Sequence, residues 1–296
     1  MTLWQEFFDV GMYDHDQTYT AHSIVVTDNR FGEKERYQQI RQHNYRIILP
    51  YLMDSDVNDT CETVNEELIL RARDWMWIQE SIHWHHLNYY VPRAPSAPSK
   101  FFLLLMNLKR NNRDVLFRAV APYLESSTYS YVERGITLPG DTFVSNQFNL
   151  GNANDRLYVP DWYAQTCFSL VSESFVKPEL FISEKIFKPL AYHHPLIVYG
   201  TPGSLRYIQS LGFETFGHCI DESYDNETDA GARLDRILAV LEDLHTEFTQ
   251  TGAVFQDTRT QEILAHNHAL FFDQTRVREL FLAQVVRPIL EFVESQ

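Results

Sequence analysis

The sequence predicts an α/β protein built from two βαβ units facing across a cleft, and three observations carry that prediction. Short apolar runs alternate with charged, helix-compatible stretches, the pattern of strands joined by crossover helices. A segment with Pro92, Pro95 and Pro98 interrupts the alternation; prolines there favour extended backbone and remove N–H donors, as in a linker. The length of 296 residues suits two units better than one. The boundary is accordingly expected at the linker, giving domains 1–98 and 99–296.

In the first domain, His22–Thr27 reads as a strand, 33–42 as a charged helix, and Tyr45–Leu52 as a second strand. A helix over Cys61–Ala72 and an aromatic strand over Trp75–Gln79 complete a βαβαβ order. Beyond the linker, strand Phe101–Leu105 is followed by a basic, amide-rich loop, a helix over Arg113–Leu124 and strand Tyr129–Val132. An Asn-rich loop leads to a strand near Cys167–Val171, then to helix Glu184–Ala191, strand Leu196–Tyr199 and a helix running to Leu211. Two helices, Ala230–Thr246 and Thr260–Val293, are expected to close the chain.

Composition excludes several classes. With 44% hydrophobic and 14% aromatic residues, the chain has the material for a packed core. A net charge of −15 argues against binding nucleic acid or an anionic membrane over the whole surface, but leaves room for one basic cleft. Cys61, Cys167 and Cys219 are widely spaced and odd in number, so neither a disulfide framework nor a zinc cluster is indicated. The N-terminal segment lacks the cationic and apolar regions of a secretory signal, and no apolar run approaches the roughly 20 residues that span a bilayer. A cytoplasmic protein without a transmembrane segment is expected; the oligomeric state is not legible.

Two basic positions stand where an α/β sheet receives anions. Lys109, Arg110 and Arg113, with Asn107, follow a strand end; Glu184-Lys185 opens a helix. Unpaired N–H groups and the helix dipole favour negative charge at such places. Arginine forks onto phosphate oxygens, asparagine supplies donor and acceptor, and an ionised glutamate accepts from ribose hydroxyls. A nucleotide diphosphate is the ligand this combination suggests. Glu80, following an aromatic run, is a candidate general base. His83, His85 and His86 read as acceptor-site lining in a loop.

These pieces resemble the α1,3/4-fucosyltransferase family, glycosyltransferase family ten, in order and spacing from Asn107 to Gly200. Ser172-Glu173-Ser174 stands at the family's Phe-Glu-Asn-Ser element, Ser183-Glu184-Lys185-Ile186-Phe187 at its Thr-Glu-Lys element, and Pro195-Leu196-Ile197-Val198 with Gly200 at its Val-Pro-Val strand. Asn107 and Arg113 occupy places similar to the upstream Ser-Asn motif and its following Arg. Glu80-Ser81 resembles the family's Glu-Ser-Pro, with Ile82 in place of proline.

The resemblance implies a GT-B architecture, an inverting glycosyltransferase, and a donor of the GDP-fucose type held by Asn107, Arg110, Arg113, Glu173, Ser174, Glu184 and Lys185. It makes Glu80 the base for a glycan hydroxyl, with His83 and His85 on the acceptor side, and it requires no metal or other cofactor. Two other readings stay open on the residues alone. Asp54-Ser55-Asp56 after an apolar run matches the metal signature of GT-A enzymes, as Asp14-His15-Asp16 does more loosely, and a non-catalytic glycan- or nucleotide-binding protein would use the same phosphate face. His193-His194 is expected to end a helix with imidazole on the dipole, and His266-Asn267-His268 to serve interdomain packing.

Overall fold

The computed structural model describes residues 24–28, 47–51, 60–64, 67–71, 74–86, 98–138, 160–178 and 180–294. It has the mixed α/β class expected and divides into two compact units: Met1–Ile78 with Gln147–Ala153 and Thr275–Gln296, and Gln79–Asn146 with Asn154–Gln274. The described helices are α1 (Trp75–His86), α2 (Asn111–Ala119), α3 (Pro160–Ala164), α4 (Glu184–Ala191), α5 (Ser204–Ser210), α6 (Ala230–Thr251), α7 (Thr258–Phe271), α8 (Gln274–Phe281) and α9 (Arg287–Glu294). None of them is long and apolar enough to cross a membrane.

In the first unit, β1 (Ile24–Asp28), β2 (Ile47–Tyr51), β3 (Thr60–Val64) and β4 (Glu67–Arg71) form a sheet in the order β1-β2-β4-β3. β1 and β2 pair in parallel with Ile24 opposite Ile47, whereas β3 and β4 pair antiparallel with Thr60 opposite Arg71. The helix expected over Cys61–Ala72 is therefore two strands. Thr60, Thr63 and Val64 are β-branched, Leu68-Ile69-Leu70 is a short apolar run, and only Asn65-Glu66 separates them; strand propensity outweighs the loose helical spacing. Trp75–Gln79 is the opposite case, a helix rather than a strand. Trp77, Glu80, Ser81 and Trp84 are all buried, a spacing of three, four and seven that only a helix places on one face.

The chain's last segment belongs to this same unit. The single helix expected from Thr260 to Val293 is broken after Phe271, where Asp273, a residue type that favours helix starts, precedes α8. Between α8 and α9 the wider turns of a π-helix span Leu282–Val286. Gln284 of that segment accepts from the Asp74 backbone N–H at 3.2 Å and donates to Asp74 Oδ2 at 2.7 Å. The readings of a helix over 33–42, of Asp14, Asp16, Asp54 and Asp56, of Pro92 and Pro95, and of the Asn-rich loop lie outside the described residues.

The second unit centres on β5 (Lys100–Met106), β6 (Thr128–Tyr131), β7 (Thr166–Ser172) and β8 (Leu196–Tyr199), in the order β6-β5-β7-β8. Every pairing is parallel; Leu103 lies opposite both Thr128 and Ser169, and Ser169 opposite Leu196. β7 is buried along its full length, as a central parallel strand covered on both faces should be. Its neighbour β5 contributes Phe101, whose ring lies 5.1 Å from Phe168 and 5.4 Å from Phe248 of α6. Such edge-on and tilted pairs add roughly 0.5–1.5 kcal/mol each beyond the burial of their area.

Helix boundaries follow their caps. Asp229 accepts from the Ala232 N–H at 2.8 Å to start α6, which ends at Gly252 with φ +79°, a left-handed conformation that glycine adopts without strain. Ser183 accepts from the Lys185 N–H to start α4. α4 and β8 have the bounds the sequence predicts. α4 packs on β7 and β8, so the strand order sets where its first turn lies.

Candidate functional site

The order β6-β5-β7-β8 contains one reversal. From β5 the chain moves outward to β6, then crosses back over β5 to β7 and continues to β8 in the other direction. The connections leaving the carboxyl ends of β5 and β7 thus diverge, and the crevice between them is where open α/β sheets take ligands. Asn107 follows β5, and Glu173-Ser174 follow β7.

The two strand ends are tied together. Asn112 Nδ2 donates to the Glu173 carbonyl at 3.1 Å, and Arg113 spans from the Leu108 carbonyl (Nη1, 2.9 Å) to Ser174 Oγ (Nη2, 3.4 Å). The Arg113 guanidinium is held below its ordinary pKa first by burial, then by Arg110, while Glu173 and Glu184 act the other way. The Arg110 guanidinium lies 4.8 Å from the centre of the Phe175 ring, a cation–π contact.

Glu173 is the hub. It is fully buried; Oε2 accepts from Ser183 Oγ at 2.5 Å, and Oε1 from the Ser183 N–H at 3.0 Å. Burial pushes its carboxyl above the ordinary value, against the lowering effect of Lys185 and Ser183. The same Ser183 hydroxyl accepts from Lys185 Nζ at 3.1 Å, and Lys185 pairs with Glu184 Oε1 at 2.7 Å. Lys185 and Glu184 each keep 26% of their side chain exposed, so the pair is half-buried, with the fully buried Glu173 linked to it through Ser183.

Buried polar atoms gather at the same strand ends. Among the described residues, Asn107 Oδ1, Arg113 Nε and Ser172 Oγ have no hydrogen-bond partner, and away from the crevice nor do Gln79 Oε1 and Gln261 Oε1. Each such atom costs roughly 1–3 kcal/mol when left unmet, and the three at this crevice call for a partner such as a bound ligand or ordered water.

Six of the seven predicted donor residues, Arg110, Arg113, Glu173, Ser174, Glu184 and Lys185, are joined by these contacts and charges, and Asn107 stands at the end of β5 beside them. The acceptor-side residues have a different setting. Glu80 lies within α1, not after a strand; it accepts from Trp84 Nε1–H at 3.3 Å and is completely buried. Trp84 in turn packs on Tyr192 and Phe271 at 4.9 and 5.8 Å. His83, His85 and His86 are helical rather than in a loop, and His85 is exposed.

One histidine expectation is also corrected. His194 is buried, with Nε2 donating to the Thr166 carbonyl at 2.9 Å and Nδ1 accepting from Ser169 Oγ at 2.8 Å. Burial holds it down to about 4, so it is a neutral core histidine and not a charge on the helix dipole. His268 donates from Nδ1 to the Ala191 carbonyl at 2.9 Å, and Asn267 bonds Glu214. These contacts lie within the second unit.

Sequence reasoning missed Ser183 as the link between Glu173 and Lys185, and it missed Arg233. Only 1% exposed, Arg233 donates to the carbonyls of Gly200, of Glu227 (2.8 Å) and of Thr228 (3.3 Å). It fixes the end of β8, where Gly200 lies so close to Glu173 that an added Cβ would sit 3.1 Å from Glu173 Cγ. An Arg in an amphipathic helix gives no sequence sign of such a role, whereas Ser183 ahead of Glu-Lys is a visible cap.

No protein-family model matches this chain, and no curated protein does. Among solved structures, a mutant of T4 phage BGT in complex with UDP-glucose is similar over 90% of this chain and 74% of its own, at 10% identity and a TM-score of 0.43. The DNA modifying enzyme beta-glucosyltransferase, solved in the presence and absence of uridine diphosphoglucose, is similar over 91% of this chain and 82% of its own, at 10% identity and a TM-score of 0.42. Both are distant likenesses, and neither bears on the roles of individual residues.

Proposed function

We propose that this chain is an inverting glycosyltransferase of GT-B type, which moves a sugar from a nucleotide-diphosphate donor to a glycan hydroxyl. One observation carries the reading: at the reversal between β5 and β7, a buried carboxyl and its serine organise a half-buried Lys–Glu pair at a helix start, beside a forked arginine. That set offers cations and backbone N–H groups for a diphosphate, and a carboxylate for ribose hydroxyls. The two sheet-bearing units of the chain are what a GT-B enzyme requires. GDP-fucose is the proposed donor, on the resemblance of the Ser183-Glu184-Lys185 region.

In this mechanism Lys185 and Arg113 stabilise the charge that builds on the departing diphosphate, and no metal is needed for that step. The acceptor oxygen attacks the anomeric carbon as the bond to the diphosphate breaks, and its proton passes to a carboxylate. Glu80 is assigned that role on the resemblance alone. Lys185→Ala should lower transfer from GDP-fucose to a glycan acceptor by at least roughly 100-fold, with its circular dichroism unchanged. Undiminished transfer by the folded variant would remove the site from the reaction. Donor binding without turnover of any nucleotide sugar would instead favour a binding protein.

A further inference from the structure

A second cluster of ligand-type side chains lies outside the donor crevice. His218 and Cys219 belong to the turn that follows α5, and Asp257 is the residue that caps α7. His218 Nε2, Cys219 Sγ and a carboxylate oxygen of Asp257 all lie within 4.8 Å of one another, with His218 Nε2 at 3.1 Å from Asp257 Oδ1. Around a tetrahedral zinc, bond lengths near 2.0–2.3 Å place ligand atoms roughly 3.3–3.8 Å apart, so shifts of about 1 Å or less, a slight parting of His218 and Asp257 included, would let the three share one ion.

We propose that His218, Cys219 and Asp257 form a binding site for a divalent cation of the zinc class. The donor set selects the metal: a thiolate with imidazole suits zinc or cobalt, whereas magnesium and calcium prefer oxygen alone. Asp257 is already oriented. Thr260 donates its backbone N–H to Oδ1 at 2.9 Å and its hydroxyl to Oδ2 at 2.6 Å, the type of outer contact that fixes a ligating carboxylate. The Cys219 thiol, which now donates to the Phe216 carbonyl at 3.3 Å, would release its proton on binding, and the proton that His218 Nε2 now directs at Asp257 would shift to Nδ1 to free the ligating nitrogen. Water completes the fourth position, as the site is open to solvent.

The location gives the ion a purpose. It would tie the turn after α5 to the first residue of α7, and α7 holds α4 through His268 and the Ala191 carbonyl. The metal would thus brace, from outside, the helix whose first turn presents Lys185. This proposal does not depend on the chemistry at that turn.

Cobalt(II) titration of the full-length protein tests it. One equivalent should give the near-ultraviolet thiolate-to-cobalt charge-transfer band and intense visible bands of a four-coordinate ion, and zinc should abolish both. Cys219→Ser should lose the charge-transfer band, and His218→Ala should weaken binding by more than the roughly 10–100-fold that follows loss of an outer hydrogen-bond partner. A band that persists in Cys219→Ser, or binding unaffected in His218→Ala, would overturn the site. So would the absence of stoichiometric binding by the unmodified chain.

Discussion

Ser183 meets Glu173 twice: its hydroxyl lies 2.5 Å from Oε2 and its backbone N–H 3.0 Å from Oε1. One residue thereby satisfies both oxygens of a carboxylate ten positions earlier in the chain, and it also accepts from the Lys185 N–H and ammonium. A serine side chain is thus shared between a fully buried carboxyl group and a half-buried ammonium.

Removing that hydroxyl tests its importance directly. Ser183→Ala leaves a buried carboxylate short of a donor and uncaps α4, at a cost of roughly 1–3 kcal/mol. Ser183→Thr, which keeps a hydroxyl, should recover most of the loss. Urea midpoints of the three proteins give the comparison, and an unchanged midpoint for the alanine variant would count against the hub.

Glu173 and His194 should leave opposite marks on the pH dependence of stability. Burial raises the Glu173 carboxyl, so its contribution is present below the ordinary glutamate value of about 4.3 and is lost as pH climbs through the raised one. The stability of the native protein minus that of Glu173→Gln should therefore be larger near about pH 5 than near about pH 8. A difference that grows with pH would contradict the burial.

His194 behaves the other way. With its folded value at about 4 against about 6.5 in the unfolded chain, its contribution is present above the higher figure and lost as pH falls toward the lower. The loss is on the order of 3 kcal/mol. His194→Gln should flatten the acid limb of the stability curve over that window, which equilibrium unfolding at a series of pH values measures.

Gly200→Ala probes the contact between β8 and the hub. The new methyl would stand 3.1 Å from Glu173 Cγ, 3.2 Å from Glu173 Cβ and 3.3 Å from Val198 Cγ1, close enough that Glu173 or Val198 must shift by a few tenths of an ångström. A loss of about 1–3 kcal/mol, with weaker donor binding, is expected. Equal stability and equal affinity would mean that Glu173 can move without consequence.

The elements nearest the site were the most legible in the sequence. A serine cap followed by Glu-Lys and an apolar face defines α4, and four apolar residues after a proline define β8; local and tertiary preferences agree there. The strands β3 and β4 were misread because their polar and apolar residues also fit a loose helical spacing, and α1 because its aromatic opening, Trp75-Met76-Trp77, also suits a strand. The donor residues were found as charges at strand and helix ends. Their organisation was not, because the Ser183–Glu173 link and the Arg233–Gly200 link join residues whose nearness exists only in the folded sheet.

Ligand-dependent unfolding measures the central claim most directly. Thermal shifts with GDP, UDP, CMP and their sugars should show stabilisation by at least one nucleoside diphosphate, approaching about 2.7 kcal/mol at roughly 100 times the dissociation constant, and Lys185→Ala should lose it. Stabilisation by none of them, or an equal shift in Lys185→Ala, would contradict a donor site at the start of α4.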